Sequence, residues 1–171
     1  AMILLIPVEL YILRDSLVKR GYKAMMLTQA DYINAAEYYM KQKYGEKFEG
    51  EFYYEDDVYA HPKARPEWNV IINVEREGGM VYFHDNYVGF LKKAELESYI
   101  YELIKPIYGE CKVYTDPFGF PLDDSWNRDT DIMTYVGGSN FVTYIFTDKN
   151  TENKEADCKE TCDIFIDKKI I

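Results

Sequence analysis

Two histidines, His61 and His84, are the side chains whose unperturbed titration falls near neutrality, so general acid–base chemistry would draw on them first. His61 lies in a stretch punctuated by Pro62 and Pro66, and His84 stands beside Asp85 and Asn86. A His–Asp neighbour pair suits proton transfer or metal binding. The run from Met80 to His84 alternates, however, and places His84 with Met80 and Tyr82, opposite Val81 and Phe83. With Val81 and Phe83 in the core, His84 points outward, and Asp85-Asn86 reads as the polar turn that ends a strand. A second oxygen-rich segment, Asp123-Asp124-Ser125-Trp126-Asn127-Arg128-Asp129-Thr130-Asp131, spaces ligand-type side chains at alternate positions, as a calcium loop does. It departs from the EF-hand at its sixth residue, Arg128 instead of Gly, and at its twelfth, Thr134 instead of Glu. The ordinary expectation is a turn whose Asp side chains cap their own backbone. Three cysteines, Cys111, Cys158 and Cys162, lack the paired short spacings of tetrahedral zinc sites and leave open ordinary reduced thiols, or a redox pair or single bridge of Cys158 and Cys162 with Cys111 competing as partner. No G-x-G-x-x-G, P-loop, G-x-S-x-G or H-E-x-x-H is present, so no catalytic residue, metal ligand or cofactor is assigned.

Tyrosine is the compositional outlier, with 17 residues, and Tyr53, Tyr54, Tyr59, Tyr82 and Tyr87 cluster around the first strands. Each offers a rigid apolar plate with a polar tip, so a set on one sheet face could stack on a peptide, a sugar or another protein. Together with Trp68 and His84 they form the candidate binding set: Tyr53, Tyr54, Tyr59, Trp68, Tyr82, His84 and Tyr87. The competing explanation is that Tyr is simply a favoured strand residue.

The elements that must position these groups follow from periodicity. Leu10 to Leu27 carries apolar residues mostly three, four or seven apart, a helix pattern for which a hairpin is the alternative. Thr28 and Asp31 make a capping-box-like start for a second helix, with Ile33, Ala36, Met40 and Tyr44 on one face and Gly45 as its stop. Phe48 to Tyr54 alternates as a strand, and residues 55 to 68, with two prolines, read as an ordered loop. Val70 to Glu77 and Met80 to His84 form a hairpin through Gly78-Gly79, and a helix follows over Leu91 to Ile104. Cys111 to Thr115 reads as a strand, Ile132 to Val136 and Phe141 to Phe146 as a hairpin through Gly137-Gly138, and Cys162 to Ile166 as a closing strand after a charged stretch over 148 to 160. The expected class is α+β: an antiparallel sheet with helices packed on one face, ordered helix-helix-strands-helix-strands. Residues 1–27 form an N-terminal apolar or amphipathic helix or anchor remnant, and 28–171 one α+β domain.

Composition narrows the function classes. With 47% apolar residues in 171 and only 10 Gly and 6 Pro, the chain is a folding sequence and not a disordered one. The net charge of −10 gives no long-range pull toward phosphate backbones, which argues against nucleic acid as partner. The acid is concentrated after residue 48, because residues 1 to 48 hold seven Lys/Arg against five Asp/Glu. An acidic body suits a basic partner protein. The apolar run from Met2 to Leu13, interrupted by Glu9, is shorter than the ~20 residues of a bilayer span. The opening Ala1 leaves two readings, a native start at Met2 or a longer protein cut inside a signal or anchor segment.

Residues 36 to 52, Ala-Glu-Tyr-Tyr-Met-Lys-Gln-Lys-Tyr-Gly-Glu-Lys-Phe-Glu-Gly-Glu-Phe, resemble a segment of small membrane-anchored or lipoprotein-like proteins of Gram-positive bacteria. In those proteins a helix ending in Lys-Tyr-Gly-Glu-x-Phe-Glu leads into the first strand of a cystatin-like or PepSY-like sheet. The resemblance implies an extracytoplasmic α+β domain tethered at its N-terminus and carries over no catalytic residue. The expected function is a non-enzymatic binding or interaction module of the bacterial cell envelope. The alternative is an enzyme, a metal-assisted hydrolase using His84, Asp85 and the Asp123 to Asp131 loop, and a cytoplasmic protein is the alternative location.

Overall fold

The computed structural model describes residues 22–23, 28–118, 122–148 and 153–170. The fold is α+β, and its contacts group into two compact units, one of residues 1–85 with 123–127, the other of 86–122 with 128–171.

In the first unit α1 (Gln29–Tyr44) begins where the sequence says it should. Thr28 accepts a hydrogen bond from the Asp31 backbone N–H at 3.3 Å, and Asp31 accepts from the Thr28 backbone N–H at 2.8 Å, a complete capping box. The Thr28 backbone N–H, and then its hydroxyl, donate to the Asp31 carboxylate and hold that carboxyl below its ordinary range. Gly45, at φ 73°, ends the helix by donating to the Lys41 carbonyl. One face of α1, Tyr32, Ala35, Ala36, Met40 and Tyr44, is buried, and it packs on β2 (Phe48–Tyr54). From there the chain runs as an antiparallel meander through β3 (Asp57–Pro62), β4 (Val70–Glu77) and β5 (Met80–Asp85). The sheet core is Phe48, Val58, Ala60, Val70, Ile72, Val74, Val81 and Phe83, supplied at alternate positions as a one-sided sheet requires. A two-residue strand, β1 (Tyr22–Lys23), pairs with the outer edge of β5. Within the expected helix Leu10 to Leu27 these two residues are therefore extended, and the remainder lies outside the described residues.

Residues 55 to 68 are not wholly a loop, because Asp57–Pro62 is a strand paired with both β2 and β4. The turn into it is Glu55-Asp56, whose φ values of 48° and 67° are the left-handed pair of a tight hairpin. That turn normally carries Asn or Gly, and with Glu-Asp in their place the punctuation is missing from the sequence. The next turn has it. Gly78 and Gly79, at φ 57° and 78°, join β4 to β5 as expected.

In the second unit α2 (Tyr87–Tyr108) starts four residues earlier than its periodicity suggests and runs two residues past Pro106, which sits in the last turn. It packs on β6 (Cys111–Pro117), whose antiparallel partner is β7 (Phe141–Thr147). Ile132–Gly138 is a helix, α3, so the second hairpin drawn through Gly137-Gly138 does not exist; neither glycine takes a positive φ. Asp131 starts α3 by accepting from the Met133 and Thr134 backbone N–H groups at 2.9 and 3.2 Å. The expected closing strand is likewise a helix, α4 (Lys154–Asp167), whose buried residues Thr161 and Phe165 lie four apart. The alternation of Cys162, Ile164 and Ile166 was coincidental with a helical period. Val88, Leu96, Ile100, Ile104 and Ile107 of α2 join Tyr135, Val136 and Phe165 in this unit's core.

Candidate binding face

The face of the β2–β5 sheet opposite the buried alternation of Val58, Ala60, Ile72, Val74, Val81 and Phe83 carries the candidate site. Cross-strand register sets its rows. Phe52 lies opposite Tyr59, and Tyr59 opposite Ile71. Tyr54 lies opposite Asp57, Asp57 opposite Asn73, and Asn73 opposite His84; Glu75 lies opposite Tyr82. The Phe52 and Tyr59 rings stack with centroids 4.5 Å apart, while Phe52 remains 48% and Tyr54 58% exposed. His84 is held between two carboxylates, Nε2 at 3.0 Å from Glu75 and Nδ1 at 2.7 Å from Asp124, both of them well exposed. His61 stands on the same side of β3, 3.0 Å from Glu51. The face is thus aromatic in its β2–β3 half and acidic around its histidines.

Phe52 is not in the tyrosine-based candidate set, and strict alternation from Phe48 would bury Phe52 and Tyr54 alike. The pairing of β2 and β3 shifts register between Gly50 and Phe52, and this bulge turns Phe52 and Tyr54 away from the side that Phe48 buries. The one local signal was a glycine inside a strand pattern. Gly50 also lets α1 approach closely, since a Cβ there would stand 2.5 Å from the Ile33 Cγ2.

On the opposite face, Asp85 is part of a buried polar cluster. Its Oδ2 accepts from Tyr39 Oη at 2.8 Å and Lys43 Nζ at 2.9 Å, and its Oδ1 from Tyr44 Oη at 2.7 Å. A buried carboxylate needs these donors, and the C-terminal part of α1 delivers all three of them. Burial, then the neighbouring Asp85 charge, raises the Tyr39 phenol far above its ordinary range, so it stays a donor. Asp85 is the last residue of β5 but is buried, not part of a solvated turn, and it does not converge with His84: consecutive strand residues point to opposite faces.

The other candidates disperse. Tyr53 faces the helix side, where it stacks on Tyr32 at 4.6 Å and hydrogen-bonds Asp56 at 2.7 Å, next to Arg76. Tyr87 is 1% exposed in the second unit, at the start of α2. Trp68 is half-buried beside the Arg65 guanidinium. In the oxygen-rich loop, Asp123 Oδ1 accepts from the Ser125 backbone N–H and hydroxyl at 2.9 and 2.5 Å, bonds that lower its carboxyl, and Asp131 caps α3. Both aspartates are spent on their own backbone. Among the described residues no group of three or more His, Cys, Asp or Glu is placed to hold a metal ion. Cys111, Cys158 and Cys162 are unbridged, the last two exposed on α4. No described helix is long and apolar enough to cross a membrane.

Comparison with protein-family models, with curated proteins and with solved structures yields no match.

Proposed function

We propose that this chain is a non-enzymatic binding module that engages a basic partner protein through the outer face of its four-stranded meander, with Phe52, Tyr54, Tyr59, Tyr82 and His84 as contacts. The observation that carries it is the exposed Phe52 ring, already stacked on half-buried Tyr59 and next to exposed Tyr54, on a face rimmed by Glu51, Glu75 and Asp124. Stacked rings on rigid strands lose little conformational freedom on binding, which is what makes aromatic anchors effective. The acidic rim favours a cationic surface and steers its approach. Placement in the bacterial cell envelope, tethered through the N-terminal segment, is supported by the apolar run from Met2 to Leu13 and by the likeness of residues 36 to 52.

The hydrolase reading needs His84 and Asp85 in one concave site; their opposite orientations and the three donors on Asp85 favour the binding reading over it.

The test is an NMR titration with a panel of Lys- and Arg-rich peptides that each contain one aromatic residue. Shifts confined to Phe52, Tyr54, Tyr59, Tyr82 and His84, weakening as salt is raised, are expected. Shifts elsewhere, or none at millimolar peptide, reject the face. For the tether, the coding sequence upstream of Ala1 should specify about 20 apolar residues; an immediate start at Met2 rejects it.

A further inference from the structure

The β6–β7 ribbon of the second unit has two edges, and they are treated differently. Phe118 N–H donates to the Asn140 carbonyl at 3.2 Å, one step beyond the Pro117–Phe141 pair. The alternation of an antiparallel ladder then makes Asp116–Val142 and Tyr114–Tyr144 hydrogen-bonded pairs and turns the backbone groups of Thr115, Thr143 and Ile145 outward. On β6 the outward groups of Thr115 are occupied. Its N–H donates to Glu97 Oε1 at 2.8 Å, its carbonyl accepts from Lys93 Nζ, and Lys93 pairs with Glu97 at 3.0 Å. Lys112, Asp116 and Pro117 add charge and a missing donor to that strand. Edge strand β2 of the first unit is guarded in the same manner by Glu49, Glu51 and the Glu37 carboxylate on the Gly50 N–H. On β7, among the described residues, no side chain caps the outward backbone groups of Thr143 and Ile145. Phe141-Val142-Thr143-Tyr144-Ile145-Phe146-Thr147 contains no charge, proline or glycine, the signature of a strand that pairs with another chain. Its Tyr144 and Phe146 are 46% and 60% exposed, beside Tyr114 at 48%.

We propose that β7 pairs antiparallel with β7 of a second copy of this chain, about a two-fold axis at Tyr144, to give a four-stranded sheet β6-β7-β7-β6. Self-pairing is favoured over a foreign strand because the sequence is complementary to itself in this register. Thr143 and Ile145 exchange hydrogen bonds with Ile145 and Thr143 of the other copy, Tyr144 meets Tyr144 in the close non-hydrogen-bonded position, and small Val142 faces large Phe146. A two-stranded ribbon is at the lower limit of sheet size, and pairing doubles its strand count. One strand pair buries less than a standard interface, so dissociation constants on the order of 10–100 µM are expected.

Sedimentation equilibrium across about 1–300 µM, a range that spans that dissociation constant, should show a monomer–dimer transition. Thr143→Pro, which removes an outward donor from an edge strand, and Tyr144→Lys, which sets like charges opposite each other, should each leave a monomer with unchanged circular dichroism. Register is read by oxidation with Cys111, Cys158 and Cys162 replaced by Ser. Tyr144→Cys should cross-link to itself, Phe146→Cys alone should not, and Val142→Cys mixed with Phe146→Cys should. A wild-type monomer throughout the range overturns the proposal. So does a dimer indifferent to both edge variants, or cross-linking of Phe146→Cys equal to that of Tyr144→Cys. None of these readouts involves the outer face of the first unit.

Discussion

Asp85 shows how much one buried charge demands of its neighbours. Its side chain is fully buried, and Lys43, 14% exposed, is the cation against it. Lys43→Met keeps the stem that packs on the Tyr39 and Tyr44 rings but removes that charge, and should cost about 3 kcal/mol in urea unfolding, because a carboxylate stripped of its buried partner is strongly destabilising. Tyr39→Phe removes one donor to a buried carboxylate and should cost about 1.5–3 kcal/mol. At the surface, Asp56 accepts from Tyr53 and then from Arg76, and these bonds hold its carboxyl below the ordinary range. A folded-state pKa lower than the unfolded one gives stability that is present above the unfolded value, ~3.9, and disappears as pH falls through the folded value. Asp56→Asn should therefore lower stability modestly near neutrality and flatten the acid limb of a stability–pH profile, so that the variant and the parent converge below about pH 4.

At the scale of elements, turns and close crossings set the tolerances. Glu55 at φ 48° is a non-glycine residue in the left-handed region, in a turn type that prefers Asn. Glu55→Asn should raise the melting temperature by a few degrees, an effect of about 0.5–1 kcal/mol. Gly89 shows the reverse. Within a helix Gly→Ala ordinarily stabilises, but a Cβ at Gly89 would stand 2.6 Å from the Pro117 Cβ and 2.7 Å from the Tyr135 Oη. Gly89→Ala should destabilise by about 1–3 kcal/mol through overpacking, measured by thermal or urea unfolding. The elements legible in the sequence were those with local punctuation: α1 between Thr28 and Gly45, and the β4–β5 hairpin at Gly78-Gly79. Those misread had none, as at the Glu55-Asp56 turn, or had false punctuation, as at Gly137-Gly138, the last two residues of a helix.

For the molecule as a whole, thiol titration of the air-exposed protein should count three free sulfhydryls, one per cysteine, and two missing thiols would mean a bridge that the structure does not contain. The α+β class with antiparallel pairing was legible because strand-period and helix-period stretches alternate along the chain, and each period buries one face whatever its neighbours. The outward direction of His84 followed from the same arithmetic, since Val81 and Phe83 had to be inside. Partner choice was another matter. Nothing near Phe141 announces that its strand pairs with Cys111–Pro117, because pairing across that distance depends on which surfaces meet after folding. The bulge at Gly50, which carries Phe52 and Tyr54 to the outer face, and the placing of Asp85 under three donors from α1 also arise only when helix and sheet are packed together. Caps, tight turns and period are local free energies and are written in a few consecutive residues; register, face and pairing are differences between whole packed arrangements, and only the tertiary structure decides them.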